Sequence, residues 1–194
     1  MRKTQFVVVC TVVASLLLLT GMALAEEGKK PQPPADTLKV DYFSNANTEG
    51  APDGTVHIIN PGTTYATVCA DIYVFDTTQE MSECCSCTLS PDSIRTLSVD
   101  TDLTSNPLTG HVLNAGAIKV VSSVCGDASK INAEPAVRAW ATHIQNTKSA
   151  FVVTEGESQD ATLSSGEVSA LDAECNAIEI DGSGAGICTC GTGD

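Results

Sequence analysis

Residues 67–76 read TVCADIYVFD, and the fold class turns on this run. Val68, Ala70, Ile72 and Val74 fall on one side of an extended chain, with Cys69, Asp71, Tyr73 and Phe75 on the other. A period of two in β-branched and aromatic residues marks a strand, not a helix. The Val/Ala/Ile face belongs in a core. The second face sets an aromatic pair beside one carboxylate, so it is expected to be covered only in part.

The same alternation recurs on both sides of this strand. LKVDY (38–42) precedes the turn formers SNANTEGAPDG, and TVHIIN (55–60) is stopped by Pro61-Gly62. SIRTLSV (93–99) and AIKVVSS (117–123) follow. AVRAWATHIQ (136–145) and SAFVVTE (149–155) flank Asn146-Thr147-Lys148, as in a hairpin closed by three residues. Ala and Arg would also suit a short helix in the first of these two. That makes seven strands. One helix is expected after Ser164, which has the S-x-x-E capping spacing to Glu167. Val168, Leu171, Cys175 and Ile178 then recur at spacings of three, four and three. The expected fold is mainly β: one antiparallel, sandwich-like domain over residues 37–194, with this helix packed on one sheet.

Residues 1–25 have the order of a secretory signal peptide: Arg2 and Lys3, an apolar run from Phe6 to Leu19, then Ala23-Leu24-Ala25 before Glu26. The run is short for a bilayer span, and Cys10 is expected to leave with it. Residues 26–36, EEGKKPQPPAD, read as a Pro-rich flexible linker. A secreted or periplasmic protein without stable membrane insertion is therefore expected. The leader holds two of the ten basic residues and no acid. The remaining 169 residues (194 less 25) thus carry a formal charge of −16 (8 less 24). Such a surface repels nucleic acid and anionic lipid.

Eight cysteines follow the leader: Cys69, Cys84, Cys85, Cys87, Cys125, Cys175, Cys188 and Cys190. An even number in an oxidising compartment implies four disulfides. Three of them lie in ECCSC, residues 83–87. Cys84 and Cys87 make a C-x-x-C, but a thioredoxin-like site needs a βαβ unit beside it, and zinc needs a second suitable pair. Cys188-Thr189-Cys190 has a one-residue gap, and Thr88 stands where a c-type haem would need His. Disulfides are the expected reading, with adjacent Cys84 and Cys85 bridged to different partners; a cysteine-based metal site is the alternative. A bridge from Cys175 to Cys188 or Cys190, clamping the tail to the helix, is the first expectation for connectivity.

VCADIYVFD, ECCSC, RAWATHIQ and GSGAGICTCG together resemble, in this order, segments of a group of uncharacterised secreted bacterial proteins. The resemblance covers roughly residues 60–194. It implies bacterial export and a shared fold. No activity is assigned to the group, so no residue role is carried over.

Hydrolase signatures are missing. There is no G-x-S-x-G, S-x-x-K or H-E-x-x-H, and Ser183 has Asp181 where the elbow needs Gly. His57, His111 and His143 show no site spacing. Gly182, Gly184 and Gly186 read as a tight turn, since no Lys-Ser/Thr follows as in a phosphate loop. No catalytic or cofactor-binding residue is assigned. Arg138 and Trp140, the sole indole, form a candidate recognition spot on one strand face, against the simpler reading of Trp140 as core. Asp100 and Asp102, and Glu155, Glu157 and Asp160, are clustered oxygens on expected loops that supply part of a weak Ca2+ site. The expected function is a secreted, non-enzymatic structural or interaction module, with self-association by addition of its N-terminal extension to a neighbouring sheet as one expected form. The alternative is a hydrolase whose site forms only in three dimensions.

Overall fold

The computed structural model describes residues 37–106, 110–126, 128–183 and 188–190. Nine strands among the described residues form two antiparallel sheets: β1 (Leu38–Ser44), β2 (Thr55–Asn60), β3 (Val68–Phe75), β4 (Met81–Leu89), β5 (Ser93–Ser98), β6 (Ala115–Ser123), β7 (Arg138–Asn146), β8 (Phe151–Glu157) and β9 (Gln159–Ala161). The larger sheet has the order β4-β3-β6-β1-β9, and the smaller β5-β2-β7-β8. The fold is mainly β, as the alternation predicts. All seven expected strands are present, and β4 and β9 are additional.

The two sheets enclose the main core. Val68, Ala70, Ile72 and Val74 of β3 meet Val56, Ile58, Leu97, Ala139 and Ala141 of the opposite sheet. Strand β2 shows the half-buried pattern plainly, with Val56 and Ile58 buried while Thr55, His57 and Ile59 are only half-buried.

The other face of β3 departs from expectation. Cys69, Asp71 and Tyr73 are also buried. Helix α1 (Ser165–Ile178) lies over this side, and Leu171 and Cys175 join Tyr73, Cys84, Val121 and Leu163 in a second apolar cluster. The polar atoms there are satisfied. The Tyr73 hydroxyl donates to Ala128 O at 2.8 Å, and Asp71 accepts from Ser86 Oγ at 2.6 Å and Ser123 Oγ at 2.5 Å. Two buried faces make β3 the centre of a three-layer arrangement of helix, sheet and sheet.

Helix α1 starts as its capping residue dictates. Ser164 is extended, and its Oγ accepts from Glu167 N at 3.0 Å, satisfying one free amide of the first turn. The Glu167 carboxylate pairs with Lys119 of β6 and not with the cap, which ties the helix start to the sheet. Among the described residues no helix is long and apolar enough to cross a membrane.

Four disulfides are formed: Cys69–Cys125, Cys84–Cys175, Cys85–Cys188 and Cys87–Cys190. The expected bridge from Cys175 to the tail is not made. Alternation along β4 is the reason. Cys84 points to the outer side, where α1 brings Cys175, whereas Cys85 and Cys87 point into the inter-sheet core and take Cys188 and Cys190. Adjacent cysteines do bridge to different partners, as expected.

Two smaller expectations also change. The hairpin connection is four residues, Thr147 to Ala150, closed by Thr147 N to Ala150 O at 2.9 Å. Glu155, Glu157 and Asp160 lie on β8 and β9, not on loops. The signal peptide, the 26–36 linker with its proposed strand addition, and Gly184 and Gly186 of the glycine turn lie outside the described residues.

Candidate functional site

Two histidines meet carboxylates. His143 Nε2 lies 2.6 Å from Asp41 Oδ1, joining β7 to β1 across the sheets. Asp41 also accepts from Ser158 Oγ at 2.7 Å through Oδ2 and from Tyr42 N at 2.8 Å. The Tyr42 ring stacks on the imidazole with centroids 4.3 Å apart. Asp, His and Ser are thus together, but in the wrong order for acyl transfer. A nucleophilic serine must sit on the imidazole nitrogen opposite the carboxylate. Here Ser158 bonds the carboxylate itself, and is buried. The trio is a polar tie between sheets.

His57 lies on the outer face of the smaller sheet. Nδ1 is 3.0 Å from Thr96 Oγ1, and Nε2 is 3.3 Å from Thr55 Oγ1 and 3.9 Å from Glu155 Oε1. Thr55 Oγ1 is 2.7 Å from Thr142 Oγ1. These contacts run across β5, β2, β7 and β8 like rungs. Strands β2 and β7 have neighbours on both sides, so their amides are engaged in ladder bonds and offer no oxyanion hole. The arrangement binds the strands to one another and has no poised nucleophile.

In the cysteine cluster, the sulfurs of Cys85, Cys87 and Cys190 lie within 4.8 Å of one another, close enough to share a metal if reduced. In the folded chain each is consumed in a disulfide. The tail is fixed further by Thr189, whose N donates to Asp102 O at 3.1 Å and Oγ1 to Asp102 Oδ1 at 2.6 Å.

Beside this cluster lies Glu83, which the sequence did not single out. It is fully buried, and neither carboxylate oxygen has a hydrogen-bond partner. It faces Val74 across the β3–β4 pair. Burial pushes its carboxyl up to about 8, so it is neutral at ordinary pH.

The candidate recognition spot lies on the smaller sheet. Trp140 registers opposite His57 on β2 and Glu157 on β8. It is half-buried on the outer face and does not enter the core. Arg138 is exposed two residues before it, opposite Ile59. Ile94 and Thr96 of β5 complete this face through their pairing with Ile59 and His57. No described element lies over these residues, whereas α1 covers the corresponding side of the larger sheet.

The acidic groups are dispersed. Asp102 Oδ2 accepts from Ser98 N at 2.8 Å at the start of the turn Val99–Leu103, which Ser98 caps, and Asp100 Oδ1 accepts from Asn47 N at 3.0 Å in a neighbouring loop. Burial, together with the nearby Asp53 carboxylate, raises the Asp100 pKa. Asp160 pairs with the buried Lys39. Glu155 and Glu157 stand on exposed positions of β8.

No family model and no curated protein matches the chain. One solved structure, the crystal structure of Thermotoga maritima 1070, is similar at 14% identity with a TM-score of 0.43, covering 65% of this chain and 97% of that one.

Proposed function

We propose that the chain is a non-enzymatic interaction module working outside the cytoplasm. The observation that carries this reading is the unequal cover of the two sheets. The larger sheet is closed by α1 and tied to it by a disulfide, while the smaller presents half-buried Ile59, Ile94 and Trp140 around His57 with no described element packed over them. Half-buried apolar side chains on a rigid face supply binding surface at little ordering cost. Four disulfides suit an oxidising compartment, in keeping with the leader-like N-terminus. Among the described residues no hydroxyl or thiol sits on the His143 nitrogen opposite Asp41, and His57 has a threonine hydroxyl on each nitrogen with the Glu155 carboxylate 3.9 Å away and no oxyanion donors beside it, which favours binding over hydrolysis.

A photocrosslinking residue at position 140, in cells exporting the protein, tests this. It is expected to give a discrete adduct, and the same residue at the exposed Glu174 position of α1 none. Turnover of an ester, peptide or glycoside substrate that His143→Gln abolishes would overturn the reading.

A further inference from the structure

Strand β8 ends the smaller sheet, and among the described residues nothing pairs with its outer edge. The other three edges are protected. Strand β9 is three residues long, while β4 and β5 approach each other, with Arg95 Nε of β5 donating to Thr88 O of β4 at 3.4 Å, and Asn60 Nδ2 at the end of β2 donating to Leu89 O of β4 at 3.1 Å. Native edges are ordinarily blunted by brevity, charge, proline or cover. Over Phe151-Val152-Val153-Thr154, β8 has none of these, and Val152 and Val153 are 43% and 51% exposed.

The ladder shows which groups the edge presents. Ser158 N donates to Ala139 O at 2.9 Å, and Trp140 registers with Glu157. Hydrogen-bonded and non-hydrogen-bonded pairs alternate in an antiparallel ladder. Residues 152, 154 and 156 therefore bond to β7, while Phe151, Val153, Glu155 and Glu157 direct N–H and C=O outward. Register also puts the side chains of these four on the Trp140 face, and the contact between Glu155 and His57 agrees.

We infer that β8 takes up an extended peptide segment of a partner as a fifth strand of this sheet. Its side chains opposite Phe151 and Val153 are apolar and those opposite Glu155 and Glu157 basic. Main-chain bonds to the outward amides supply affinity, and cross-strand pairs supply selectivity. A basic strand is favoured over a second copy because the chain carries a formal charge of −14. In an edge-to-edge pair of copies centred on Val153, each Glu155 would also lie opposite an apolar Phe151. This inference rests on the interaction-module reading and names the partner's chemistry.

The probe is acetyl-Lys-Thr-Lys-Thr-Val-Thr-Val-amide, whose first lysine lies opposite Glu157 in an antiparallel pairing. Titrated into the disulfide-intact protein at up to millimolar concentration, it is expected to slow hydrogen exchange at the Val153 and Glu155 amides. Replacing both lysines by glutamate is expected to weaken binding at least about ten-fold, and the Glu155→Lys/Glu157→Lys variant to reverse that preference. Val153→Pro is expected to abolish binding with little effect on the fold, since an outward N–H makes no ladder bond. Val153→Lys gives a second test that leaves the backbone unconstrained. Unchanged exchange at these amides, protection elsewhere, or binding that survives both Val153 variants overturns the inference. So does a dimer of the wild type that Val153→Lys dissolves, which would make the occupant a second copy. If the edge fails while the position-140 adduct persists, only the edge is lost. Turnover abolished by His143→Gln would instead remove the module reading itself.

Discussion

Raising the pH past neutrality should weaken this fold through one carboxyl group, Glu83. Its folded pKa is about 8 against an ordinary 4.5, and the cause is burial without a hydrogen-bond partner. Between those two values the folded state holds a proton that the unfolded state has released. Its contribution is thus complete below pH 4.5, declines as pH rises, and is gone above about pH 8. At about 1.4 kcal/mol for each pH step, the total is on the order of 5 kcal/mol. That is a large share of the roughly 5–15 kcal/mol that holds a domain folded. The assay is urea unfolding with disulfides intact, for wild type and Glu83→Gln, at intervals from pH 4.5 to 9. Every other ionisable group is common to both proteins, so the difference between the two curves isolates position 83. That difference should grow steadily in favour of the Gln variant above pH 5. A flat difference, or a wild type that gains stability relative to the variant, would refute the account of a neutral buried acid.

Two further outcomes follow from packing and connectivity. Non-reducing peptide mapping should recover Cys84 joined to Cys175, and the double Ser variant should lose about 3 kcal/mol, because the remaining Cys85–Cys188 bridge already shortens the loop to about 15 residues; a Cys175 peptide joined to Cys188 or Cys190 would refute the arrangement. Gly116→Ala should cost about 3 kcal/mol in chemical denaturation, because the added carbon would overlap the backbone oxygen of Phe75 and lie 2.8 Å from the Phe43 ring.

What the sequence made legible was local. Seven strands announced themselves through alternation, and α1 through a serine cap followed by an apolar stripe. Strand β4 did not, because MSECCSC has no β-branched residue and its strand character comes from pairing with β3 along its length. Once β4 is known to be extended, alternation alone separates Cys84 from Cys85 and Cys87. Which side α1 covers is set by sheet order, a non-local property, and the expected Cys175 bridge failed for that reason. Asp41 and His143 are 102 residues apart and meet only because β1 and β7 lie on facing sheets. The placement of Trp140 outside the core follows from register with His57, not from hydrophobicity. The exposed edge was visible in part as FVVT without charge, but only the order of strands shows that β8 is terminal.

The bridges also decide what happens when the chain is cut. All three partners of the β4 cysteines lie beyond residue 174, and Cys125 reaches back to Cys69. A protease that severs any single bond from 88 to 124 leaves four covalent links across the break; one that severs a bond from 126 to 174, the β7–β8 hairpin included, leaves three. Neither fragment can diffuse away, and the nicked ends stay beside each other. In surroundings rich in proteases, such a protein can be clipped once and remain one molecule, with the damage visible only after reduction.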